Sequence, residues 1–314
     1  VSTRLTPRLA LLLTLPPLLW AGNAVVGRLM AGDIPPVLFN ALRWVGAGLL
    51  LAPLGWRVFA TPRSRAQIVA RWPHLALLGL LGVGIYNALQ YMALRTSTPL
   101  NVTLIASSIP LFMMAVGALA FQVRPSRREL LAAALSLLGV AVVLTRGELQ
   151  ALAQLHLVAG DLLMLAATAC WATYSWLLAR PPALMRGSER PAWDWSAFLL
   201  VQICFGLVWT GGAALVEHQV LAGTQPIKAS WALAAALLYV AVCPSVLAYR
   251  AWGVGVAGAG PAMAALFSNL TPLFAAVISG AVLGLWPQPY HLAAFALIVG
   301  GIAVSMRRAP GPSR

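Results

Sequence analysis

The chain has 314 residues, 61% hydrophobic and only 9% charged, with a mean hydropathy of +0.84, a balance that excludes an ordinary water-soluble domain. Its formal net charge of +14 does not point to nucleic acid, because the arginines stand singly or in small groups between apolar runs and build no basic groove. They read instead as a membrane orientation signal.

A helix needs about 20 apolar residues to cross a hydrocarbon layer of roughly 30 Å. Ten segments are of that kind, near residues 9–30, 35–56, 74–95, 99–121, 129–146, 158–179, 194–216, 230–252, 260–284 and 288–306. The expected fold is all-α and integral to the membrane, with short connections and antiparallel neighbours. The first span follows Arg4 and Arg8, as a cleavable signal would. Against that reading, the apolar run continues through Val26, and a comparable segment, CWATYSWLLAR, recurs at 170–180.

Polar residues inside the spans are the candidate site, since each must face protein or water. Trp20 and Asn23 lie one turn apart in span one, as do Asn40 and Arg43 in span two. Arg43 either holds a substrate carboxylate in two hydrogen bonds or satisfies helix-end carbonyls. Span three carries Tyr86, Asn87, Gln90 and Tyr91, the last three on one stripe. Span four adds Asn101 and Ser108, nearly on one face; span six adds Trp171 and Ser175; span eight adds Ser245 and Tyr249; span nine adds Asn269. The tryptophans are either a stacking wall for an apolar or aromatic ligand or plain packing. Glycines at 79, 82 and 84, and at 253, 255, 258 and 260, allow close helix approach.

The remaining chemistry is sparse. Cys170, Cys204 and Cys243 are odd in number and sit in apolar runs, so they read as packing residues. All seven acidic residues fall in loops or at span ends, which favours facilitated diffusion or exchange over proton coupling; Asp161, at the mouth of span six, is the remaining proton candidate. No catalytic constellation, metal cluster or cofactor motif is apparent, so a non-enzyme is expected. A membrane enzyme and a non-transporting receptor or assembly subunit are the alternatives.

Orientation follows from the basic residues. With a cytoplasmic N-terminus, Arg4, Arg8, Arg57, Arg63, Arg65, Arg71, Arg124, Arg127, Arg128, Arg180, Arg186, Arg190, Arg250, Arg307, Arg308 and Arg314 fall inside, against Arg28, Arg95, Arg146 and Lys228 outside. Both termini are then cytoplasmic.

The stretch ASSIPLFMMAV (106–116) has an echo, FSNLTPLFAAV (267–277). A shift of 162 residues, Pro110 to Pro272, aligns roughly 14 identities in the 48 positions from 99 to 146, which reads as an internal repeat. Two units follow, 1–150 and 151–314. Five spans is an odd number, so the second unit enters the membrane in the opposite sense, as alternating access around a midplane site requires. Pro110 and Pro272 are the expected hinges, each loosening its helix near the membrane centre.

Ten spans in two halves, Trp20-Ala21 and Trp171-Ala172, Arg43 in span two and the repeated Pro-Leu-Phe resemble the drug/metabolite transporter superfamily, specifically EamA-type carriers. The resemblance covers the whole chain. It implies a basket of helices around a central cavity lined chiefly by spans three, four, eight and nine, and an inner-membrane exporter of amino acids or related metabolites, such as the YddG-type exporters of aromatic amino acids. The implied partners are a small-molecule substrate and the lipid bilayer, with a monomer sufficient. Many members carry Gly-Glu after spans four and nine; here Gln122-Val123 and Gly284-Leu285 stand instead.

Overall fold

The computed structural model describes residues 5–30, 32–93, 96–97, 102, 105–148, 150, 158–220, 227–283 and 288–306. Among them every regular element is helical: α1 (Pro7–Leu29), α2 (Pro36–Gly55), a single turn (Arg57–Ala60), α3 (Pro62–Leu78), a π-helical segment (Gly79–Ile85) and α4 (Tyr86–Ala93). They continue with α5 (Ile109–Phe121), α6 (Arg127–Leu144), α7 (Ala159–Ala179), two short 3₁₀ turns, α8 (Trp195–Val220) and α9 (Trp231–Val240). A second π-helical segment (Ala241–Leu247) then leads into α10 (Ala248–Ala259), α11 (Pro261–Ser268), α12 (Thr271–Leu283) and α13 (Pro289–Met306).

Among the described residues, seven helical stretches are long and apolar enough to cross a membrane: Pro7–Gly27, Pro36–Gly55, Pro62–Gln90, Ala159–Ala179, Trp195–Val220, Trp231–Ala259 and Pro261–Ile278. Ile109–Phe121 and Pro289–Ser305 are shorter apolar helices. The chain is a multi-pass membrane protein.

Helix starts follow local chemistry. The Thr61 hydroxyl accepts from Ser64 N–H at 3.2 Å and the Ser230 hydroxyl from Leu233 N–H at 3.1 Å, each satisfying an orphan donor of the first turn. Pro36, Pro62 and Pro261 occupy first-turn positions, where a missing N–H costs nothing. The start of α2 has a capping carboxylate from another helix: Glu217 accepts from Val37 N–H at 3.1 Å and Leu38 N–H at 2.9 Å.

Two expectations from the sequence need correction. The third helix begins at Pro62 rather than near 74, because the Thr61 cap and Pro62 start a helix whose arginines had read as loop. Arg71 is buried there and donates to Leu184 O at 2.8 Å, Glu189 O at 2.7 Å and Gln67 O at 3.2 Å, pinning the 181–190 connection. Pro110 and Pro272, in turn, do not kink the middle of a helix. The helix breaks at 107–108 and at 269–270, and each proline sits in the first turn of the helix that restarts, where its ring clashes with nothing.

The offset of 162 residues recurs in the elements themselves. Gly79 to Ala241 (241 − 79), Ile109 to Thr271 (271 − 109) and Arg127 to Pro289 (289 − 127) are the starts of the π segments, of α5 and α12, and of α6 and α13. Packing follows the same pattern: α6 lies along α13, α2 along α8, α7 against α4 and α5, and α1 against α10 and α12. Glycine permits the tightest of these approaches. A Cβ on Gly139 would lie 2.8 Å from Ala294 O, and one on Gly301 2.7 Å from Ala132 O.

The first π segment meets α8 in the same way, with Gly79 opposite Gln202 and Gly206. A Cβ on Gly79 would lie 2.7 Å from Gln202 O and 2.8 Å from Gly206 N, both backbone atoms that cannot swing aside. Gly79→Ala is therefore expected to cost about 1–3 kcal/mol, as overpacking does, and to lower the melting temperature in detergent; an unchanged melting temperature would show that the helices can separate without penalty.

Candidate functional site

At the middle of the bundle, aromatic side chains from five spans meet around Trp171. Its ring centre lies 5.4 Å from Trp20, 5.2 Å from Tyr86 and Tyr174, and 5.5 Å from Tyr249 and Trp252. Trp20 also meets Trp252 at 5.4 Å, and Trp44 meets Tyr249 edge-on at 5.0 Å. Offset and edge-to-face contacts of this kind stabilise beyond the area they bury. The cluster draws on α1, α2, α4, α7 and α10, so spans one, two and six contribute as much as spans three and eight.

Both π segments border this cluster, for a reason their sequences contain. GLLGVGI has three glycines, and AVCPSVL has a proline that cannot donate to the carbonyl one turn back. Each run slips to i→i+5 bonding and leaves carbonyls for side chains to claim. Tyr249 O–H donates to Gly82 O in the first segment. In the second, Trp20 Nε1 donates to Pro244 O at 3.3 Å.

Arg43 joins the same place from α2. It is 1% exposed, yet no acidic side chain among the described residues pairs with it. Its Nε donates to Ser245 Oγ at 2.5 Å and its Nη2 to Pro244 O at 3.3 Å, while Ser245 Oγ donates to Val240 O at 2.7 Å. Nη1 has no hydrogen-bond partner. The guanidinium is thus desolvated, with one nitrogen both buried and unpaired, a costly state for a cation.

Other expected residues are distributed around this centre. Asn40, one turn from Arg43, is fully buried with neither amide atom paired, and the same holds for Asn269, at the break between α11 and α12. Asn23 is half-buried, its Oδ1 unpaired. Asn87 is buried and Gln90 half-buried on α4. Ser175 is satisfied locally, donating to Trp171 O at 2.9 Å and accepting from Trp252 Nε1 at 3.1 Å. Ser108 donates to Ile105 O at 2.5 Å just before the restart at Pro110. Asn101 and the side chain of Tyr91 lie outside the described residues.

Sequence reasoning missed Trp44, Tyr174 and Trp252, and the carbonyls of Gly82 and Pro244. Trp252 stands three residues after Tyr249, and Trp44 four after Asn40, so helical spacing from residues already singled out would have found both.

Two segments of the chain, residues 8–145 and 158–307, match the EamA-like transporter family. An uncharacterized transporter of Archaeoglobus fulgidus is 28% identical over 295 residues, 93% of each chain. A probable amino-acid metabolite efflux pump of Salmonella typhimurium is 27% identical over 299 residues, 91% of each chain. The uncharacterized inner membrane transporter YedA of Escherichia coli is 24% identical over 274 residues, 85% of this chain and 80% of its own. A crystal structure 21% identical in sequence superposes with a TM-score of 0.71 over 95% of this chain and 96% of its own, showing the same fold.

The bond from Tyr249 to Gly82 isolates one atom for testing. Tyr249→Phe keeps the ring contacts with Trp44, Trp171 and Tyr174 and leaves Gly82 O without its donor. An unsatisfied buried carbonyl costs about 1–3 kcal/mol, so the variant should melt several degrees lower; equal melting would show that the hydroxyl contributes nothing.

Proposed function

The chain belongs to the EamA-like transporter family, and from that premise we propose that it exports amino acids, aromatic ones included, from the cytoplasm by alternating access. The observation that carries the substrate class is Arg43: a buried guanidinium with a free Nη1, bordered by the aromatic cluster. A carboxylate satisfies the charge, and an aromatic or aliphatic body has Trp20, Trp171 and Trp252 to lie against. The Salmonella relative, a probable amino-acid metabolite efflux pump, points the same way.

The proposed machine has ten spans in two five-helix halves, 1–150 and 151–314, inserted in opposite senses, with both termini cytoplasmic in the inner membrane. Support comes from the 162-residue recurrence of π segments and helices and from the two separate family matches. The breaks preceding Pro110 and Pro272 supply hinges in equivalent places. Exchanging the conformations of two such halves turns an inward-facing site outward.

Purified protein in proteoliposomes preloaded with the matching unlabelled amino acid should show saturable uptake of at least one amino acid from a radiolabelled panel. Arg43→Ala should lower that uptake by about tenfold or more per folded molecule, the scale of one lost charge-assisted hydrogen bond. Equal losses of transport and of folded yield would make Arg43 a structural arginine, and an absence of saturable flux across the panel would refute amino-acid transport.

A further inference from the structure

We propose that the protein is an obligatory exchanger: Arg43 latches the π segment of span eight when no substrate is bound, and only a carboxylate substrate releases it. This rests on the amino-acid reading above and adds to it the mode of transport.

The latch is built from the backbone upward. Pro244 lacks an N–H, and the π turn around it leaves Val240 O and Pro244 O to side chains, which claim both. Ser245 Oγ donates to Val240 O and accepts from Arg43 Nε; Arg43 Nη2 and Trp20 Nε1 converge on Pro244 O. Ser245 therefore has its proton committed and acts as a positioning residue that aims the guanidinium. The helix carrying Arg43 runs close along the segment, since a Cβ on Gly46 would lie 3.0 Å from Ala241 Cβ.

The opposite π segment shows what is particular about this arrangement. Gly82 stands 162 residues before Pro244 (244 − 82), and its carbonyl too is claimed by a side chain from elsewhere in the chain. There the donor is the neutral Tyr249 hydroxyl, which has no charge with which to form an ion pair to a carboxylate. At Pro244 one donor is a full positive charge. A carboxylate adds charge–charge attraction that a neutral carbonyl cannot offer, and the guanidinium prefers two parallel bonds to it.

Substrate capture and release of the segment then become one event. A carboxylate that reaches the buried, unpaired Nη1 gains its second bond from Nη2, which must leave Pro244 O. The carbonyl loses its charged partner, and the segment is free to change its bend. When the substrate departs, Arg43 returns to Pro244 O and the segment is held again. An empty carrier of this kind cannot reorient; a loaded one can. The substrate drives the change because it binds the unlatched form more tightly, which is the only way a ligand shifts such an equilibrium.

The test uses the full chain in proteoliposomes, with L-[³H]phenylalanine or whichever labelled amino acid of phenylalanine, tryptophan, leucine and glutamate gives the largest saturable flux. Uptake into vesicles preloaded with the unlabelled amino acid should exceed uptake into empty vesicles by roughly tenfold or more, within the range of ligand-coupled transitions. Ser245→Ala should bring that ratio toward one, a readout independent of how much protein folds. Hydrogen exchange of wild-type peptides covering Ala241–Leu247 should rise on adding the transported amino acid and not its carboxamide. Equal wild-type rates into loaded and empty vesicles, or a segment indifferent to the amino acid, would overturn the latch and leave the carrier intact. No saturable flux of any of the four would overturn both.

Discussion

A carbonyl freed from its helix inside a membrane must find a donor within the protein, because the lipid offers none. Most of the central architecture follows from this constraint. Two π segments release carbonyls near the middle of the bundle, and the residues that answer them, Tyr249 for Gly82 and Arg43 with Trp20 for Pro244, come from other spans. Those donors bring α1, α2 and α10 to one place, and Trp171 fills the space between them. The aromatic centre is thus a consequence of backbone accounting as much as of apolar packing.

The charge of Arg43 changes the character of this solution. Tyr249 and Trp20 are neutral donors, whereas Arg43 holds Pro244 O with a full charge and keeps one buried nitrogen unpaired. Burying a guanidinium without a carboxylate is costly, and natural proteins retain such groups where they act. The unpaired amide of Asn40, one turn from Arg43, fits the same picture of a centre that is incompletely satisfied by hydrogen bonds.

Much of this was legible in the sequence. Of the ten segments marked by hydropathy, seven correspond to membrane-length helices among the described residues, and the Pro-Leu-Phe echo located the offset at which helices and π segments recur. Arg43 stood out as a lone charge. Its partners did not: nothing in VCPS announces that the serine will face an arginine 202 positions earlier. The π segments were hidden because GLLGVGI reads as an ordinary glycine-rich helix, and the bonding slip depends on which helix packs alongside. The start of α3 was misread because Arg63, Arg65 and Arg71 resemble a loop, whereas Arg71 is buried against carbonyls of the 181–190 connection. The prolines were noticed for the right reason and given the wrong place, since a break followed by a restart looks identical to a kink in one dimension.

The two helical runs that contain π segments are also unusually long. Pro62 to Ala93 is continuous over three consecutive elements, and Trp231 to Ala259 over three more. At 1.5 Å per residue each exceeds about 40 Å, well beyond the roughly 30 Å of hydrocarbon. Such rods fit only by tilting or by projecting into the headgroups, and their lean therefore depends on how thick the surrounding bilayer is. Since a π segment sits partway along each rod, the thickness of the host membrane bears on the same turns whose carbonyls Tyr249 and Arg43 hold, making lipid composition a mechanical input to the centre of the bundle.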